Sequence, residues 1–170
     1  DVTARRTTEL EAIDARIKSL AAAVKDAQFV YATTARPRAA ASEAPIRVFT
    51  TPDTGAPEVQ LLSNGRYHVM VTNAGGGYSR FMDLAVTRWR PDEALDAYGS
   101  FVYVRDVASG KVWSAGHQPA GVEADEYHAS FFEHRVEIRR RDGTISTTLD
   151  VVVSPHDDAE LRQVTVVNNG

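Results

Sequence analysis

The stretch Arg66-Tyr67-His68-Val69-Met70-Val71-Thr72-Asn73-Ala74-Gly75-Gly76-Gly77-Tyr78-Ser79-Arg80 decides the fold. Its first seven residues alternate with period two, the repeat of a strand with one face buried. Three successive glycines then open backbone angles closed to other residues, and an aromatic and an arginine follow at once. The same alternation returns in Phe101-Val102-Tyr103-Val104-Arg105 and in Val136-Glu137-Ile138-Arg139. Thr144 to Val153 and Leu161 to Val167 are further β-branched runs. Asp142-Gly143 lies between two such runs and predicts a hairpin turn. Ala108-Ser109-Gly110 before Lys111-Val112-Trp113 predicts a second. Short strands, frequent turns and no intervening helical period predict a mainly β chain, an antiparallel β-sandwich.

Upstream the pattern is different. Leu10, Ile13, Ile17, Leu20 and Val24 recur at spacings of three and four, and Thr8 with Glu11 has the capping-box spacing. One amphipathic α-helix is therefore expected within residues 1–31. Residues 32–45, with Arg36-Pro37-Arg38-Ala39-Ala40-Ala41-Ser42 and Pro45, have linker composition, and residues 46–170 form the β module.

Composition excludes several classes. Hydrophobic residues are 43% and charged residues 25%, the mixture of a globular chain rather than a disordered one. A net charge of -4 gives no electrostatic case for nucleic acid. The densest basic spot, Arg139-Arg140-Arg141, ends a strand beside a turn, where solvated charge is expected. No cysteine is present, which removes disulfides and thiolate metal sites. The apolar runs are too short to span a bilayer, so no membrane contact is expected.

The candidates for chemistry are few. His128 and His134 are six apart, a spacing that places them on one face of a strand but too far apart to share a metal. No His-Glu-x-x-His occurs, and Asp157-Asp158 after Pro155-His156 reads as a solvated turn, so neither metal nor cofactor is expected. Ser114, His117 and Asp125 compose a triad only in the sense that most chains of this length permit one. No catalytic residue is assigned. The Asn73–Arg80 stretch admits two readings. It is a structural turn between strands, or it is a loop that meets a sugar through aromatic faces and planar donors, for which Tyr78, Arg80, Arg88 and Trp89 are suited.

Longer phrases add a resemblance. Pro57-Glu58-Val59-Gln60-Leu61-Leu62-Ser63-Asn64-Gly65-Arg66-Tyr67-His68 running into Asn73-Ala74-Gly75-Gly76-Gly77-Tyr78-Ser79-Arg80 resembles the glycoside hydrolase family 94 domain of cyclic β-1,2-glucan synthases. That family was formerly glycosyltransferase family 36 and includes cellobiose and chitobiose phosphorylases. Asp83 to Arg90, Tyr103 to Gly110, Val112-Trp113-Ser114, Gln118-Pro119 and Val152-Val153-Ser154-Pro155 match in the same order. The resemblance runs from about Pro45 to the end, and it does not extend to the helical segment.

The resemblance implies a sugar-handling super-β-sandwich of bacterial origin, on the cytoplasmic side of an inner-membrane parent. In the family this module precedes an (α/α)6 barrel that carries the catalytic aspartate, so the chain is expected to support an active site rather than to form one. It implies Asn73, Gly75, Gly76, Tyr78, Ser79 and Arg80 as sugar contacts, to which the side-chain chemistry above adds Arg88 and Trp89. The implied partners are a β-glucan or glucose-based oligosaccharide and the barrel. A sandwich that continues past Gly170 would leave its last strand without a neighbour, which makes a homodimer by edge pairing the further expectation. The competing reading is a structural or dimerisation domain that docks the barrel and binds no sugar.

Overall fold

A computed structural model describes residues 45–90 and 98–170, which lie in one compact unit, Glu43–Gly170. The expected helix within residues 1–31 and nearly all of the 32–45 linker lie outside the described residues. Eleven strands are formed among the described residues and no helix. A five-stranded sheet has the order β1-β8-β9-β10-β11 and comprises Arg47–Phe49, Glu126–Phe131, Arg135–Asp142, Ile145–Val153 and Glu160–Asn168. A four-stranded sheet has the order β2-β3-β4-β5, namely Val59–Ser63, Tyr67–Thr72, Gly77–Phe81 and Leu84–Ala85. The pair β6 (Tyr103–Arg105) and β7 (Val112–Ser114) stands beside them, and every pairing is antiparallel.

The two larger sheets face one another. Leu62, Tyr67, Val69 and Val71 from the small sheet share one core with Tyr127, Ala129, Phe131, Val136, Ile138, Leu149 and Val151 from the large one. Those residues obey the strand repeat, so the alternation of sequence becomes an inner and an outer face. Both expected hairpins form. Asp142 pairs with Ile145 across a turn in which Gly143 takes a φ of 62°. At the other, Gly110 takes a φ of 75° and the Asp106 carboxylate accepts the Ala108 and Ser109 amide protons. Those bonds hold the Asp106 carboxyl below its ordinary pKa, with the Ser109 hydroxyl the largest cause.

The triple arginine divides by parity. Arg139 and Arg141 lie on the outer face, paired with Glu137 at 2.9 Å and Glu126 at 2.6 Å. Arg140 shares the phase of Val136 and Ile138 and points inward, its side chain 0% exposed. This corrects the expectation of solvated charge for that residue. All five guanidinium protons are used. Two go to the Asp142 carboxylate at 2.7 and 2.6 Å, two to the carbonyls of Ser114 and Gly116 at 3.1 and 2.6 Å, and one to that of Val122 at 3.1 Å. One buried cation thereby shapes the whole 114–122 segment.

Two asparagines tie the sheets at opposite ends of β3. Asn64, in the β2–β3 turn, donates to the carbonyls of Ser154 and Asp157 at 3.0 and 2.9 Å and accepts the amides of Arg66 and Tyr67. At the far end the Tyr127 hydroxyl donates to the Asn73 carbonyl at 2.6 Å. Burial pushes that phenol well above its ordinary pKa, which keeps its proton in place. Arg140→Ala would leave Asp142 and three carbonyls without their partner. We expect it to lower unfolding free energy by about 3–5 kcal/mol in urea titration, with Arg140→Lys intermediate. A loss below about 1 kcal/mol, the range of a surface pair, would contradict the assignment.

Candidate functional site

The Gly75-Gly76-Gly77 stretch joins β3 to β4 and is buried throughout. The Thr72 amide donates to the Gly76 carbonyl at 2.9 Å and the Gly75 amide to the Thr72 carbonyl at 3.0 Å, closing the turn. Another part of the chain approaches it closely. Gly75 has a φ of 94°, and a Cβ there would stand 3.3 Å from the Gly116 Cα. The Ala74 carbonyl accepts the amides of His117 and Gln118 at 3.0 and 2.9 Å. At Gly77 a Cβ would stand 2.0 Å from the Met70 carbonyl oxygen, an overlap no rotamer relieves. The glycines thus admit backbone to backbone, and the cavity beside Gly75 has a volume of about 10 Å³, room for a water and not for a sugar ring.

Asn73 is 1% exposed. Its side-chain oxygen accepts the Glu58 amide at 3.1 Å, and its NH₂ group donates to the Pro52 carbonyl at 2.9 Å and to Thr54 Oγ1 at 3.2 Å. These bonds fasten the 51–58 loop to the end of β3. Ser79 is buried as well. Its hydroxyl donates to Glu160 Oε2 at 2.5 Å, and Glu160 Oε1 accepts the Arg162 Nε proton at 2.6 Å, so the side chain ties β4 to β11. In this structure Asn73, Gly75, Gly76 and Ser79 are internal contacts.

The other four candidates reach solvent. Tyr78 and Arg80 stand two apart on β4 and share its outer face, Tyr78 half-buried and Arg80 exposed. The Arg80 Nε proton goes to the Met82 carbonyl at 2.6 Å, and an Nη2 proton to Asp83 at 3.3 Å. The segment after β5 folds back along β4. The amides of Val86 and Thr87 both donate to the Ser79 carbonyl at 3.0 Å, and Thr87 Oγ1 accepts the Ser79 amide at 2.8 Å. Arg88, exposed, and Trp89, half-buried, follow that strap directly in sequence. Chemically the face offers an aromatic ring with planar donors beside it, the pairing that suits a pyranose.

The metal and triad constellations that the sequence offered find other roles among the described residues. No group of three metal-ligating side chains occurs there. His128 lies on β8 and His134 beyond its end at Phe131, in the turn before β9, so the pair does not share a strand. Ser114, at the end of β7, accepts the Ala120 amide on Oγ at 3.1 Å, and Asp125, just before β8, accepts the Gly143 amide at 2.7 Å, so each has a structural partner outside the triad. Asp158 pairs with Arg66 at 3.1 Å.

Residues 42–170 match the family described as "Glycosyl hydrolase 94, supersandwich domain". The chain belongs to this family. Its relatives include the cyclic beta-(1,2)-glucan synthase NdvB of Rhizobium meliloti, 35% identical over 125 residues, which cover 74% of this chain and 4% of that protein. N,N'-diacetylchitobiose phosphorylase of Vibrio proteolyticus is 35% identical over 82 residues, 46% of this chain and 10% of its own length. A 3-O-beta-D-glucopyranosyl-beta-D-glucuronide phosphorylase of Paenibacillus borealis is 28% identical over 124 residues, 72% of this chain and 15% of its own. The chain therefore spans a small fraction of each relative. No helix among the described residues is long and apolar enough to cross a membrane.

In this glycosyl hydrolase 94 supersandwich domain, the residue that sequence reading missed above all is Arg140, which holds the segment that meets Gly75. The signal was present in its even spacing from Val136 and Ile138. Gly77→Ala is expected to abolish cooperative thermal unfolding. Gly143→Ala, with φ 62° but open space around it, should cost about 1–2 kcal/mol. Equal, mild effects in melts of the two variants would contradict the close approach at Gly77.

Proposed function

We propose that this chain is a non-catalytic, carbohydrate-handling module that supports the active site of a cyclic β-1,2-glucan synthase or a related β-glucan phosphorylase. The reaction is assigned to a catalytic (α/α)6 barrel in the same parent, a bacterial protein anchored in the inner membrane with this module on its cytoplasmic side. The observation that carries the reading is the outward pair Tyr78 and Arg80 on β4, next to a strap anchored at Thr87 from which Arg88 and Trp89 continue in sequence. The buried Asn73, Gly75, Gly76 and Ser79 then act from below, fixing the backbone that presents those four side chains.

One observation favours a second reading, a docking or dimerisation domain without sugar contact. Leu61, Met82, Leu84 and Val86, on β2, the β4–β5 turn, β5 and the strap, are 65%, 54%, 67% and 56% exposed. Apolar side chains gathered near one sheet suit a protein surface as well as a sugar. Among the described residues β11, nine residues long, is the last strand of its sheet and pairs with β10 alone, which suits edge-to-edge association.

Titration of the 170-residue chain with linear and cyclic β-1,2-glucans and with cello-oligosaccharides, followed by backbone amide NMR, separates the two. The module reading predicts saturable shifts at Tyr78–Trp89 for one linkage class at millimolar sugar. Silence of those amides together with concentration-dependent self-association by light scattering would overturn it in favour of docking.

A further inference from the structure

A second concavity lies away from the Tyr78 face. It is bounded by the β6–β7 hairpin, the segment before β8 and the β9–β10 turn, and has a volume of about 520 Å³. That is within the range of small-ligand sites and far larger than the water-sized cavity beside Gly75. Val112 and Val122, 46% and 39% exposed, give it apolar walls. Asp106, Glu123, Asp125 and Asp142 bring carboxylates, of which Asp142 is paired with Arg140, Asp106 is bonded to the Ser109 hydroxyl and Asp125 accepts the Gly143 amide at 2.7 Å. Lys111 brings an ammonium group. Trp113, itself only 2% exposed, also lines the groove, and its buried Nε1–H has no hydrogen-bond partner.

An unpaired buried donor is costly, and the Trp113 indole N–H is placed to report on whatever enters the groove that its residue lines. The groove as a whole wants both kinds of partner. Its ammonium protons need acceptors, while its carboxylates need donors. A cationic side chain answers only the carboxylates, and an anion is repelled by them. Hydroxyl groups donate and accept from the same atom, and the C–H faces of a sugar ring fit valine walls. We infer that this groove is a second carbohydrate site, holding a neutral segment of about two linked glucose units by volume. The inference rests on the reading of the module as carbohydrate-handling, and it adds a place where a chain is held at a distance from Tyr78.

The two tryptophans make the test selective, because each gives one indole N–H signal, assigned with Trp89→Phe. The full 170-residue chain is titrated with the β-1,2-linked glucose disaccharide and its linear tetramer. The Trp113 signal is expected to shift saturably by about 10 mM sugar, and the Lys111→Ala/Glu123→Ala double variant to weaken binding about tenfold without changing the melting temperature. A silent Trp113 beside responding Tyr78–Trp89 signals would overturn the groove and leave the module reading standing. Silence at both places would overturn both. A Trp113 shift that the double variant leaves unchanged, or one evoked by tetra-lysine and not by sugar, would also overturn the inference.

Discussion

The buried Arg140 guanidinium is the constraint on which the rest of the molecule depends. A cation inside a β-sandwich is tolerable only when its charge is matched and every proton has an acceptor. Asp142 supplies the charge from the same strand, and the carbonyls of Ser114, Gly116 and Val122 supply the other acceptors. The 114–122 segment must therefore cross over the end of β9. That crossing sets Gly116 against Gly75 and aims the amides of His117 and Gln118 at the Ala74 carbonyl. The glycine turn between β3 and β4 is thus held from inside, and β4 can present Tyr78 and Arg80 only because its entry is fixed.

Much of this was legible as period. The runs at 66–72, 136–139, 144–153 and 161–167 became β3, β9, β10 and β11, each extended or trimmed by a residue or a few. Their inward residues are those an alternating pattern selects. The run at 101–105 survives as β6 at Tyr103–Arg105, while Val102 still accepts the Ala115 amide at 2.8 Å. β1 and β5 are three and two residues long, too short for any period to register.

The site was legible in a different way. Alternation alone places Tyr78 and Arg80 on one face. It says nothing of what meets the glycines, since a ligand and a distant backbone demand the same missing side chains. The visitor is Gly116, brought there by a side chain that looked like one of three solvated arginines. Asn73 was hidden for the same reason. Its partners, Glu58, Pro52 and Thr54, belong to a loop without periodicity, and only the folded chain brings their groups within 3.3 Å of the carboxamide. The outcome is a division between neighbours in sequence, with internal contacts at 73–77 and Ser79, and side chains that reach solvent at Tyr78, Arg80, Arg88 and Trp89.

The claim that the glycine turn is an internal crossing is tested most directly by native-state hydrogen exchange of the Gly77, His117 and Gln118 amides, whose acceptors are the carbonyls of Tyr98 and Ala74. If Arg140 and the crossing form one unit with the core, these amides exchange only by global unfolding, with the same free energy as the centre of β10. Exchange by a local opening several kcal/mol below the global value would contradict the account and favour the reading of the turn as a loop open to a ligand.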